Sequence, residues 1–235
     1  MNILITVASR GIGAAAYDLL KCSGHNVVGH STRGSDELVA GDLMDPAAPA
    51  HIWEAAMARL GGRIDALVNN AGIYESADET ASDEDWHAAW SRTMAVNLQS
   101  AADLCRLAIR HFREREGSVG RIVNVASRAA YRGDSPQHWH YAASKAGMIG
   151  MTKSIARGYA AQGILAFAVA PGFTVSEMTE DYLRGRGGAQ IVADIPLGRV
   201  ATTDEVGEVI RWLATEAPAS ATGSVIDVNG ASYVR

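Results

Sequence analysis

The chain has 235 residues, 48% of them hydrophobic, 6% aromatic and 20% charged; at ~150 residues per domain this allows one or two globular domains, and a single domain over 1–235 is the simpler expectation. A formal charge of -5 without any run of Lys or Arg lacks the basic footprint of a nucleic-acid or anionic-membrane binder, and no apolar stretch reaches the ~18 residues of a membrane span. Cys22 and Cys105 lack the paired spacing of zinc or redox motifs and read as buried reduced thiols, which points to a cytoplasmic protein.

In chain order, Ile3 to Val7 reads as a strand, Ile12 to Cys22 as a helix, Asn26 to Gly29 as a second strand and Leu38 to Ala40 as a short third. The eight residues His30 to Glu37 are too few for a crossover helix, so a loop is expected there. Ala47 to Leu60 follows as a helix and Ala66 to Val68 as a strand. Ser82 to Arg115 carries helical periodicity with a break expected near Trp90 to Thr93. Then come Arg121 to Val125 (strand), His140 to Gln162 (helix), Ile164 to Val169 (strand), Thr203 to Ala214 (helix) and Ser224 to Val228 (strand). Apolar strands alternating with helices predict an α/β fold: a Rossmann-like, doubly wound parallel sheet with helices on both faces and ligands at the carboxyl ends of its strands.

The turn after the first strand reads Thr6-Val7-Ala8-Ser9-Arg10-Gly11-Ile12-Gly13 and opens a helix. A pyrophosphate there would meet free backbone N–H groups and the positive end of the helix dipole. Taken alone, a Gly-x-Gly at a helix start is often just a tight turn. Tyr141-Ala142-Ala143-Ser144-Lys145 puts a phenol and an ammonium on one helix face, where the cation can lower a phenol pKa of ~10 toward neutrality. A surface Tyr-Lys pair is the plain alternative.

These segments, with Asn69-Asn70-Ala71-Gly72, Asn97, Asn124-Val125-Ala126-Ser127, Ala170-Pro171-Gly172, Ile195-Pro196-Leu197-Gly198-Arg199 and the closing Thr222-Gly223…Asn229-Gly230, resemble the motif set of the short-chain dehydrogenase/reductase family across nearly the whole chain. The chain is similar to the acyl-carrier-protein 3-oxoacyl reductase branch of that family. The resemblance implies a catalytic set of Asn97, Ser127, Tyr141 and Lys145: Tyr141 passing a proton to or from the substrate oxygen, Ser127 bonding that oxygen, Lys145 lowering the tyrosine's pKa and holding the nicotinamide ribose, and Asn97 holding a water that links Lys145 to solvent. It also implies that Ser9, Arg10, Gly11, Ile12 and Gly13 hold the diphosphate, that Asn69, Ala71 and Gly72 line the cofactor near its ribose, and that Asp42 and Leu43 frame the adenine. Pro171, Gly172 and Ser176 would border the nicotinamide, and 173–195 would form a substrate lid. A homotetramer or dimer is expected by the same resemblance, built from the Ser82 to Arg115 and His140 to Gln162 helices and the last strand.

Several positions depart from the family's pattern. Val7 stands where the first glycine of the cofactor turn is usual; a branched side chain resists positive φ, whereas with φ negative it would pack beneath the dinucleotide. Fourteen positions separate Ser127 from Tyr141, one more than in most relatives, so the loop Tyr131 to His140 bulges beside the pocket, with Arg132, His138, Trp139 and His140 at its border. The two histidines there read as loop surface rather than metal ligands. Phe167 replaces a frequent asparagine, and Ser176 a frequent threonine. The second strand ends in His30-Ser31-Thr32-Arg33, with no carboxylate for a ribose 2′-OH, so Ser31, Arg33 and Arg10 favour the 2′-phosphate of NADP(H) over NAD(H). The function expected is an NADP(H)-dependent interconversion of a carbonyl and a secondary alcohol, on a 3-oxoacyl thioester or a small ketone. A dinucleotide-binding sensor without turnover is the rival reading.

Overall fold

The computed structural model describes residues 1–115, 117, 119–175 and 188–235. Its strands are β1 (Asn2–Ile5), β2 (Asn26–Ser31), β3 (Leu38–Ala40), β4 (Ala66–Asn69), β5 (Gly120–Val125), β6 (Ile164–Pro171) and β7 (Val225–Val228), all parallel in one seven-stranded sheet of order β3-β2-β1-β4-β5-β6-β7. The helices are α1 (Gly11–Cys22), α2 (Ala48–Arg59), α3 (Asp83–Met94), α4 (Ser100–Arg113), α5 (Ala129–Arg132), α6 (Trp139–Tyr159), α7 (Gly188–Ala193) and α8 (Thr203–Thr215).

The two-residue period of a strand sends its side chains to opposite faces. Leu4, Leu67 and Ile122 join Ile52 and Trp53 of α2 and Leu104 and Phe112 of α4. Their neighbours Ile3, Val68 and Val123 join Leu20 of α1 and Val206, Ile210 and Leu213 of α8, with Phe167 of β6 in the same core. Burial on both faces is why the strands read as continuous apolar runs.

The link between β2 and β3 is a loop, as expected. Its shortness has a register explanation: Leu38 pairs with Gly29, so after Ser31 the chain backtracks by only two residues before running parallel again. Gly34, at φ +68°, makes that reversal.

Elsewhere the structure differs from expectation. β1 stops at Ile5, because Thr6 and Val7 already belong to the turn. The long helical run breaks at Ala95–Gln99 rather than at Trp90 to Thr93, as a π-helical turn that admits an extra residue. The loop after Ser127 contains the short helix α5, and α6 starts at Trp139. His138 and His140 are buried, not loop surface, and Cys22 is exposed while Cys105 is buried. The histidines are covered because Tyr74 stacks on His138 at 3.8 Å and Trp90 lies 5.8 Å from His140.

Gly120 opens β5 against the ring of Phe112; an added Cβ would sit 2.3 Å from that ring. Gly120→Ala is therefore expected to lower stability by about 1–3 kcal/mol, as core overpacking does, read from the urea midpoint. Because Gly120 lies at the amino end of the sheet, ligand affinity at the carboxyl end should stay unchanged; a weaker ligand constant would contradict this separation.

Candidate active site

β1 lies between β2 and β4, so the connections from β1 and β4 leave on opposite sides of the sheet and open a crevice at their carboxyl ends. Two adjoining cavities fill it. One, of 380 Å³, is lined by residues including Ile12, Asn70, Ser127, Tyr141, Lys145 and Pro171. The other, of 650 Å³, runs over the ends of β2 and β3 past Ser9, Ser31, Arg33, Asp42 and Leu43. They share Val7, Arg10, Gly72 and Ile73, so they meet over the first turn.

That turn is left-handed at its valine. Val7 has φ +53°, so of the two arrangements the sequence left open the turn adopts the one that a branched side chain resists. The surroundings over-determine it: Asn70 Nδ2 donates to the Val7 carbonyl at 3.1 Å, the Val7 N–H donates to His30 Nδ1 at 3.3 Å, and the Ala8 N–H donates to the His30 carbonyl at 2.8 Å. Thr6 Oγ1 accepts the N–H groups of Asn70 and Ala71, both at 3.0 Å, fastening the β4 end to the β1 end. Gly11 follows at φ +56°. Gly13 packs against the turn from below, where a Cβ would fall 1.9 Å from the Val7 carbonyl oxygen; only glycine lets α1 begin so close to β1.

In the smaller cavity, α6 brings Tyr141 and Lys145 onto one face, with Lys145 Nζ 5.8 Å from the Tyr141 ring centre. Lys145 is almost wholly buried and donates to the Val125 carbonyl at 2.8 Å. Burial lowers its pKa to about 8. Burial also pushes Tyr141 up to about 12, opposed by the Ser127 hydroxyl and reinforced by the negative charge of Asp134. Burial is thus the largest influence on the phenol, and the Lys145 ammonium lies over its ring.

Asn97 sits on the π-helical turn, fully buried. Its Oδ1 accepts the Ile73 N–H at 2.8 Å, while its Nδ2 donates to the Ile73 carbonyl at 3.0 Å and to Ser144 Oγ at 3.2 Å. It braces the β4 loop that walls both cavities. Tyr74, on the same loop, stacks on His138 and meets the Tyr141 ring edge-on at 4.8 Å.

Of the residues singled out in the sequence, Ser127, Tyr141, Lys145, Arg10, Gly11, Ile12, Gly72, Pro171 and Gly172 line the smaller cavity, and Ser9, Ser31, Arg33, Asp42 and Leu43 the larger. Asn97 and Gly13 stand behind the walls. Asn69 turns away from the crevice: its Nδ2 donates to Asn124 Oδ1 at 2.8 Å and to Cys105 Sγ at 3.2 Å. Ala71 packs into the core beneath. Asn70 takes the place at the cavity that sequence reasoning gave to Asn69, and strand alternation from the buried Val68 would have signalled it. Ile73 and Thr174 were not foreseen as walls; His138, expected at the pocket border, stacks on Tyr74, whose ring meets Tyr141 edge-on. Ser176 lies outside the described residues, as does most of the expected lid.

The crevice fits an extended two-part ligand with a diphosphate at its waist: helix N–H groups at Gly11 and Ile12, the exposed Arg10, and a buried Lys145 with no carboxylate beside it among the described residues. Comparison with known proteins agrees. A family model described as enoyl-(acyl carrier protein) reductase matches residues 6–231. The chain is 34% identical to the 3-oxoacyl-(acyl-carrier-protein) reductase FabG of Escherichia coli, over 98% of this chain and 96% of that one, and 32% identical to an acetoacetyl-CoA reductase of Rhizobium meliloti, over 98% and 97%. A crystal structure of 3-ketoacyl-(acyl-carrier-protein) reductase from Brucella melitensis complexed with NADH superposes with a TM-score of 0.87 at 27% identity, covering 99% of this chain and 98% of that one. A putative 2-deoxy-D-gluconate 3-dehydrogenase from Agrobacterium tumefaciens with bound NADP superposes at 0.86 and 29%, covering 99% and 96%. Fold, crevice and whole-length likeness converge: the chain belongs to the short-chain dehydrogenase/reductase family.

Proposed function

We propose that this oxidoreductase reduces a ketone to a secondary alcohol with NADPH, with Tyr141 as proton donor. The observation that carries the reading is the convergence of Ser127, Tyr141 and Lys145 on one cavity that also reaches the start of α1; at neutral pH the phenol there holds its proton and Lys145 stays largely charged. The nicotinamide, when bound, supplies the hydride. Ser127, on the end of β5, bonds the carbonyl oxygen and presents it to Tyr141, whose proton neutralises the developing alkoxide. The phenolate left behind is stabilised by the Lys145 ammonium. Asn97 keeps the β4 loop in place over Lys145.

The larger cavity supports NADP(H) over NAD(H). Ser31 and Arg33 line it, Arg10 stands at its junction with the smaller one, and neither arginine pairs with a carboxylate among the described residues. Asp42, beyond β3, turns its Oδ1 onto the Met44 N–H at 3.0 Å. Likeness to the 3-oxoacyl and acetoacetyl thioester reductases supports a 3-oxoacyl thioester as substrate, with a small ketone next. No helix among the described residues is long and apolar enough to cross a membrane, and we take the enzyme to be cytoplasmic. A homo-oligomer is supported by Trp139, 49% exposed at the start of α6 and edge-on to Trp86 of α3 at 5.4 Å, where two of the helices expected to build it meet.

A 340 nm assay of NADPH oxidation with acetoacetyl-CoA and a panel of small ketones tests the activity; tight NADPH binding without turnover on any of them would overturn it. Tyr141→Phe should preserve folding and cofactor binding and slow turnover about 10²-fold or more; unchanged turnover would take the phenol out of the reaction. Arg33→Ala should weaken NADPH about tenfold relative to NADH, because a charge-assisted bond to phosphate is lost; equal losses would remove the phosphate assignment. Lys145 is charged below its pKa, so reduction at saturating cofactor should slow as pH rises through about 8. A rate that climbs across that range would reverse the assigned roles.

A further inference from the structure

His30 is fully buried at the end of β2, and both of its ring nitrogens are committed. Nε2 lies 2.8 Å from the Gly41 carbonyl oxygen, which can only accept, so Nε2 carries the proton. Nδ1 lies 3.3 Å from the Val7 nitrogen, whose N–H can only donate, so Nδ1 must offer its lone pair. The two contacts together define one neutral tautomer. They join the ends of β1, β2 and β3 at the residue that carries the left-handed strain, for Val7 is a branched residue at φ +53° where a glycine would sit free of strain.

We propose that His30 is a positioning residue for the dinucleotide: as the neutral Nε2–H tautomer it holds Val7 left-handed and so sets the N–H groups at the start of α1 for the diphosphate. This rests on the cofactor reading above. Its reach follows from packing. The Val7 carbonyl is wedged between Asn70 Nδ2 and Gly13, so a Val7 that relaxed toward negative φ would push its carbonyl into the first turn of α1. His30 touches neither substrate nor reacting atoms, and its effect should appear in cofactor affinity rather than in turnover at saturation.

Protonation of Nδ1 would set an N–H against the Val7 N–H and break the clamp. Nothing nearby favours the charged ring. Burial holds His30 below the usual 6.5, with only the Gly41 carbonyl opposing. On the elements packed around it, Arg10 after β1, Arg33 after β2, Asp42 after β3 and His51, Glu54 and Arg59 of α2 are all exposed, and Asn70 after β4 is neutral. NADPH affinity should therefore fall as pH drops below 6.5, where the free enzyme loses the clamp by taking up a proton.

The test is a double-mutant cycle read by NADPH fluorescence titration at pH 7.5, with imidazole nitrogen NMR shifts of the cofactor-free wild type as an independent readout. His30→Leu and His30→Gln, both unable to accept from Val7 at the Nδ1 position, should each raise the NADPH dissociation constant about tenfold. In a Val7→Gly background, where no strain needs holding, the same changes should cost less than about threefold. His30→Asn restores a non-titrating acceptor near Nδ1; it should recover most of the affinity and flatten the acid limb of the pH profile. Equal losses in the two backgrounds, or NMR shifts of an Nδ1–H tautomer, would overturn the proposal while leaving the function intact. A wild type that binds neither NADPH nor NADH would instead bring down the cofactor reading, and this inference with it.

Discussion

The site depends on how three parallel strands end together. β1, β2 and β4 deliver Val7, His30 and Asn70 to one point, and α1 must start within van der Waals contact of it because Gly13 packs directly on the Val7 carbonyl. A branched residue in the left-handed region costs about 1–3 kcal/mol. That cost is tolerable only because the sheet immobilises its neighbours: β1 pairs with both β2 and β4, so the hydrogen-bonding groups around Val7 are fixed by ladders on either side. The turn is a consequence of the sheet's order, and the crevice is a consequence of the turn.

The electrostatics of the smaller cavity follow from the same burial. Removing water disfavours both charged forms, so it raises the phenol of Tyr141 and lowers the ammonium of Lys145, to about 12 and about 8. The two shifts draw the groups away from an ion pair and leave a neutral phenol beside a lysine that is largely charged at neutral pH. In the proposed reaction such a phenol would suit a carbonyl that gains charge, because the proton is held until the acceptor oxygen becomes basic.

Much of this was legible in the residues. Continuous apolar runs alternating with helical segments gave the parallel sheet, and the short span between β2 and β3 gave a loop there, because periodicity and length are local properties. Tyr141, Lys145 and Ser127 were legible as a group because the family's spacing carries them to one cavity. What stayed open or failed was set by contacts remote in sequence. The sign of φ at Val7 depends on His30 and Asn70; the burial of His138 depends on Tyr74, which is 64 positions away, and on Ser76, whose Oγ lies 3.2 Å from Nε2. Asn69 and Asn70 look alike as a pair, and only the pleat of β4 sends one to the Asn124 side chain and the other to the crevice.

Asn97 shows how a local irregularity can serve the whole site. An α-helical continuation from α3 into α4 would satisfy every backbone bond there, yet the chain takes a π-helical turn at Ala95–Gln99. Within that turn the side-chain amide of Asn97 engages both backbone polar groups of Ile73, at 2.8 and 3.0 Å, and reaches Ser144, next in sequence to Lys145. Ile73 and Gly72 border both cavities, and a Cβ on Gly72 would come within 3.2 Å of Lys145 Nζ. One amide thus fixes the loop that forms the common wall and limits the space around the buried ammonium.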